Sequence, residues 1–186
     1  SIGSVVDMFN SGFYGAGVIY DTTNDAVVCV CTDAATSYYG RARCATISGT
    51  TLTTGTAVTY SAVNTSDSAI SFDSTAGKVL VTFKDTSTNY GRGIVGTVSG
   101  TSISFGSAVT FSTENIKKTS SGHDVAANKM LVSFYSNTDT YTKGVVGEIS
   151  GTSVSFGTAV VVESVATYSG DYRQPVTYNT AAEKCL

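Results

Sequence analysis

The chain has 186 residues, 11 of them basic and 14 acidic, giving a formal charge of −3 with only 13% of residues charged. That balance supplies no basic footprint for a nucleic acid. No run of about 18 apolar residues is present to cross a bilayer as a helix, so membrane insertion is not expected. The length allows one domain with a real core, and 41% hydrophobic residues argue against disorder. Gly, Ser, Thr and Val dominate, with 11 Tyr, 8 Phe, one Pro and no Trp. Because β-branched and aromatic residues fit a pleated surface, an all-β protein is expected. The chain opens at Ser1 rather than Met and shows no signal peptide, so a processed, trimmed or partial chain is expected.

In chain order, residues 1–9 match residues 104–111 and read as the last strand, D, of a repeat. Strand A then ends at Tyr20-Asp21, strand B reads Val27-Val28-Cys29-Val30-Cys31, and strand C reads Gly40-Arg41-Ala42-Arg43-Cys44. The turn Ser48-Gly49-Thr50 leads into D. The same turn returns at Ser99-Gly100-Thr101 and Ser150-Gly151-Thr152, a constant spacing of 51 residues. A period near fifty makes the repeat the unit of folding. In the second unit A is residues 69–73, B is 78–83, C is 91–98 and D is 102–111. In the third, A ends at His123-Asp124, B is 130–134 and C is 143–147. A further A strand starts at Pro175, where a missing donor is tolerated, and ends at Tyr178-Asn179. Residues 183–186 match the start of a B strand. The Asp or Asn that closes each A strand reads as a turn cap, since its side chain can accept from the backbone that follows.

Short connections make each unit an antiparallel meander. Four such strands in about fifty residues describe one propeller blade. The expected fold class is therefore all-β, with antiparallel four-stranded blades of about 51 residues in a β-propeller or propeller-like array. A β-solenoid and a chain of small sandwiches are the alternatives; the latter needs about a hundred residues per domain. The chain divides as a terminal D strand (1–12), blades at 13–62, 63–113 and 114–164, and a partial fourth blade at 165–186. The number of blades in the intact assembly stays open, as does ring against filament.

Residues 95–109, Val-Gly-Thr-Val-Ser-Gly-Thr-Ser-Ile-Ser-Phe-Gly-Ser-Ala-Val, resemble the tandem repeats of large phage virion proteins of the tail-fibre and adhesin type, and of bacterial surface proteins. The resemblance covers nearly the whole chain. It implies a structural or receptor-binding protein of an extracellular, virion or cell surface. The first unit departs from the pattern, with Cys29, Cys31 and Cys44 in place of Val, Phe and Val.

No nucleophile elbow, P-loop, dinucleotide motif or metal signature occurs, so no enzyme activity and no cofactor or metal is expected. His123 could belong to a Ser-His-Asp set, but it stands where other units carry Tyr or Phe and reads as a structural substitution. A glycoside hydrolase is the weakest reading, because sialidase-like propellers carry Ser-x-Asp-x-Gly-x-Thr-Trp boxes and this chain has no Trp. The B–C loops are the candidate ligand sites. They bring Tyr39, Tyr90 and Tyr141 beside Arg41, Arg92 and Lys143, and two of them open with Asp33 and Asp85. An aromatic face with fixed polar groups can hold a sugar ring, and repetition would add avidity for surface glycans. The competing expectation is that these tyrosines pack between blades.

Cys29, Cys31, Cys44 and Cys185 all lie in the first unit and the last fragment. A disulfide across the Cys29–Cys44 hairpin, or a staple at a closing contact, is expected in an oxidising compartment; small buried hydrophobes are the alternative. Asn64-Thr65-Ser66 is a glycosylation sequon. Together these features point to a non-enzymatic structural repeat protein that associates with itself or is completed by further blades. A lectin-like glycan binder is the alternative.

Overall fold

The computed structural model describes residues 5–9, 12–163, 175–179, 181 and 183–185. It is all-β with antiparallel sheets. The first unit holds β1 (Phe13–Asp21), β2 (Ala26–Asp33), β3 (Tyr39–Ser48) and β4 (Thr51–Thr54), with a short 3-10 turn at Ala34–Thr36. β5 (Val58–Asp73), β6 (Lys78–Asp85), β7 (Gly91–Ser99), β8 (Ser102–Phe105) and β9 (Val109–Ser112) follow. β10 (Ile116–Asp124), β11 (Lys129–Ser136), β12 (Thr142–Ser150), β13 (Ser153–Phe156) and β14 (Val160–Glu163) repeat the pattern. β15 (Tyr178–Asn179) and β16 (Lys184–Cys185) stand in the places of A and B. Residues 1–4, 10–11 and 164–174 of the expected end segments lie outside the described residues.

Each A–B hairpin closes in one way. Asp21 pairs with Ala26, Asp73 with Lys78, Asp124 with Lys129 and Asn179 with Lys184. The closing side chain caps the turn: Asp21 Oδ1 accepts from Thr23 N, Asp73 Oδ1 from Thr75 N and Asp124 Oδ1 from Ala127 N, each at 2.9 Å. Two features differ from the sequence reading. Strand D is broken in every unit, because the chain leaves the ladder at residues 55–57, 106–108 and 157–159. The break is pinned by one bond, from Gly55 N to Cys44 O, Gly106 N to Val95 O, or Gly157 N to Val146 O. After the first break, β5 runs on without interruption from D of one unit into A of the next, pairing first with β3 and then with β6. A boundary at 62/63 therefore falls inside a strand.

The A strands of the three units also carry a bulge, at Tyr14/Gly17, Ser66/Ala69 and Lys117/Ser120. Gly15, Asp67 and Lys118 adopt positive φ there, which re-aims the strand entry.

Cross-strand partners share a face and successive residues alternate. Val79, Val81 and Phe83 of β6 pack on Val28, Val30, Ala42 and Cys44 of the first unit. On the opposite face, Leu80 and Val95 pack on Met130, Val132 and Phe134 of the third. The middle unit is thus buried on both faces, which explains its unbroken apolar run at residues 79–81. Each fully buried Val, Leu or Phe contributes about 1.5–3 kcal/mol.

The same contacts recur between successive pairs of units. Tyr60 packs on Phe83 and Phe105, with ring centroids at 5.4 and 5.8 Å; Phe111 packs on Phe134 and Phe156 at 5.4 and 5.5 Å. A strands meet through Gly17 against Ile70 and through the hydroxyls of Ser71 and Ser121, 2.7 Å apart.

Candidate functional site

The structure gives most of the predicted loop residues structural partners. Asp33 is buried and caps the 3-10 turn by accepting from Ala35 N at 2.9 Å. Arg41 donates to Thr59 Oγ1 at 2.8 Å and to the Ala57 carbonyl at 3.1 Å. Asp85 is buried and accepts from Arg92 Nε at 2.9 Å, and from the amide and hydroxyl of Ser87. Arg92 Nη1 also reaches Thr110 Oγ1. Lys143 holds Glu114 and Asp139, both at 2.6 Å. In each unit, then, the cation binds a neighbouring strand or loop of the protein itself. Tyr39, Tyr90 and Tyr141 are all half-buried.

The electrostatics follow from these contacts. Burial pushes the Asp85 carboxyl up, but the Ser87 and Arg92 donors outweigh it and hold it below the ordinary range. Burial pulls Lys143 down, and the bonds to Asp139 and Glu114 reverse this and raise it.

The strand register corrects the expected Cys29–Cys44 hairpin disulfide. All four are free thiols. Cys44 stands opposite Val28, whereas Cys29 stands opposite Arg43. A one-residue offset puts Cys29 and Cys44 on opposite faces of the sheet, where their sulfurs cannot meet. Burial raises the Cys44 thiol to about 11. Burial, with the Asp33 carboxylate adding to it, raises that of Cys31 to about 12. Cys185 sits in β16, where its amide donates to Asp124 Oδ2 at 3.1 Å.

His123 bridges two units. Its Nδ1 lies 3.3 Å from both the amide and the hydroxyl of Ser74, and Nε2 lies 3.2 Å from Asp73 Oδ1. An amide can only donate, so Nδ1 accepts and Nε2 carries the ring proton; its approach to Asp73 is close but lacks hydrogen-bond geometry. Asp73 meanwhile caps its own turn through Thr75 and Ala76. The set ties one A–B turn to the next A strand.

A cleft that the sequence reading did not find lies at the junction of the first two units. Tyr14 and Tyr38 form its wall, with ring centroids 6.1 Å apart and planes inclined by 36°. Its volume is about 350 Å³. Thr32 Oγ1 and Thr65 Oγ1, 3.0 Å apart, lie at its floor, and the Thr65 amide donates to the Tyr38 carbonyl at 2.9 Å. Asn64, the exposed residue of the sequon, and Asp67 line its rim. The loop bearing Tyr38 departs from the repeat. Thr32 pairs with Gly40, eight residues on; Lys84 pairs with Gly91 and Tyr135 with Thr142, seven on. The longer loop puts Ser37 and Tyr38 at φ 59° and 63°, two successive left-handed residues, where the other loops have one each, Asn89 and Thr140. Such residues cost of order 1–3 kcal/mol apiece. The extra residue was visible in the sequence as a spacing of 52 from Asp21 to Asp73, against 51 from Gly49 to Gly100.

Among the described residues, no group of three or more His, Cys, Asp or Glu side chains is arranged to hold a metal ion. No protein-family profile matches the chain, and no curated protein is significantly similar to it.

Proposed function

We propose that this chain is a non-enzymatic structural repeat protein of an extracellular, virion or appendage surface. Its units are arranged as propeller-like blades, with A strands innermost, and extend by adding units of their own kind. The observation that carries this reading is an inter-unit contact made twice and left open at both ends. Ile70 and Phe72 of the second unit pack against the first, whereas the matching Val18 and Tyr20 of the first are 65% and 46% exposed. At the other end, among the described residues, Val176 N donates to Ser120 Oγ and Cys185 N to Asp124 Oδ2, both on the A strand of the third unit. Val146 and Val160 to Val162 stay exposed on its C and D strands. Bare apolar sheet faces of this kind favour association. A heterologous contact of the internal type closes a ring or propagates a filament. The resemblance of residues 95–109 to tail-fibre and adhesin repeats supports the same setting. Electron microscopy of the purified chain tests the reading: rings or filaments with the spacing of the internal units are expected, and isolated particles of single-chain size at all concentrations would contradict it.

A further inference from the structure

We propose that the Tyr14–Tyr38 cleft binds a neutral saccharide, independently of whether the chain assembles. The repeat's fold does not require this cleft. The second and third units close the same loop with one residue fewer and one left-handed residue fewer. At the place of Tyr14 they carry Ser66 and Lys117, each paired at the matching position of the A–B ladder. The first unit alone adds a residue, accepts a second left-handed conformation and leaves two tyrosines 63% and 44% exposed. A strained loop whose exposed Tyr38 meets the exposed Tyr14 of β1 marks a functional position.

The chemistry selects the ligand class. Two tilted phenol faces offer apolar contact to the C–H face of a pyranose ring, with hydroxyls at their edges. The cleft's size falls in the range of small-molecule sites. The Asn64 amide supplies donors and an acceptor at the rim, and the Asp67 carboxylate supplies acceptors for paired sugar hydroxyls. The cleft is held in shape by the bonds from Thr65 to Tyr38 and Thr32, so little ordering is left to offset. Lys118 Nζ lies 3.9 Å from Asp67 Oδ1 and Lys84 also acts on this carboxylate, but neither lysine lines the cleft, and the chain is net acidic. A sialylated glycan or a nucleotide would bring a second negative charge to Asp67, so the cleft favours uncharged sugars.

Ligand-observed NMR and tyrosine-fluorescence titration test this, using methyl β-galactoside, methyl β-glucoside, cellotetraose and chitotriose as probes, with sialyllactose as the charged comparator. At least one neutral probe is expected to bind. Tyr14→Ala and Tyr38→Ala should each weaken it roughly tenfold or more, as expected for loss of an aromatic anchor; Tyr90→Ala should not. Replacing residues 34–38 with the shorter loop of residues 86–89, which folds natively in the second unit, should abolish binding while leaving the thermal midpoint in place. Binding of no neutral probe at millimolar concentration would overturn the proposal. So would binding that survives both tyrosine substitutions and the loop exchange, or a preference for sialyllactose.

Discussion

A Cβ placed on Gly106 would stand 1.9 Å from the carbonyl oxygen of Thr152, in the C–D turn of the next unit. Gly55 and Thr101 stand in the same relationship, 51 residues earlier. The broken D strand of one unit is thus a seat for the turn of the following one, and only glycine leaves room for it. The third unit keeps its glycine, Gly157, but the nearest atom to a Cβ there is the Val146 carbonyl oxygen at 3.7 Å. Gly55→Ala and Gly106→Ala should each lower stability by about 1–3 kcal/mol, the usual cost of overpacking a closed contact. Gly157→Ala should be nearly neutral. Urea unfolding of the three variants measures this directly.

The Asp85–Arg92 pair should matter most in acid. Asp85 is held below the ordinary carboxylate value of 3.8, with burial opposing and the Ser87 and Arg92 donors prevailing. A lowered folded value stabilises the fold above the unfolded pKa, and that contribution is lost as pH falls through the folded one. Stability should therefore decline below about pH 4. Arg92→Met should cost about 1–3 kcal/mol at neutral pH, since it strips a charged partner from a buried carboxylate, and it should flatten the acid decline. Thermal melts between pH 2 and pH 7 would reveal both effects.

Alkali should act through buried acids of another kind. Burial raises Cys31 and Tyr60 to about 12 and Cys44 to about 11, from ordinary values of 9.0 for the thiols and 10.0 for Tyr60. Unfolding lets these groups ionise earlier than folding does, so the contribution is intact below the unfolded values and is lost as pH climbs toward the folded ones. The midpoint of melting should fall between about pH 9 and pH 12. Cys44→Val should make the decline shallower, with its onset still set by the remaining thiols. Lys143, also raised, adds a loss above its ordinary 10.5.

Thiol accounting should find four free sulfhydryls in unfolded, unreduced protein. In the native state the half-buried Cys29 should react ahead of the fully buried Cys31 and Cys44. A mass two or four daltons below the reduced chain would contradict the free-thiol arrangement.

Much of the fold was legible because the repeat carries it. The capping Asp of each A strand, the Gly-Thr turn before D and the alternating B strand recur at fixed spacing, and each maps onto one local backbone requirement. What was not legible depends on offsets of a single residue or on contacts between units. Placing Cys29 opposite Cys44 missed the true partner by one position, and in a sheet one position changes the face. The broken D strand is hidden in a segment that alternates throughout and whose two halves pair with the same neighbour. Arg92 and Lys143 looked available for ligand, but the folded loops turn Arg92 onto Asp85, 7 residues away, and Lys143 onto Asp139 and Glu114, 4 and 29 residues away. Tyr38 escaped notice because Tyr39, not Tyr38, occupies the repeated position.

Extension by like units is tested most directly by sedimentation velocity of the unaltered chain and of Gly157→Val across a wide concentration range. Among the described residues a Cβ there meets only the Val146 carbonyl oxygen, at an ordinary 3.7 Å, whereas valine would fill the seat for an incoming C–D turn. The unaltered chain should sediment faster as its concentration rises, while Gly157→Val, with an unchanged melting midpoint, should stay monomeric. A chain that remains monomeric throughout, or a valine variant that associates equally well, would contradict it.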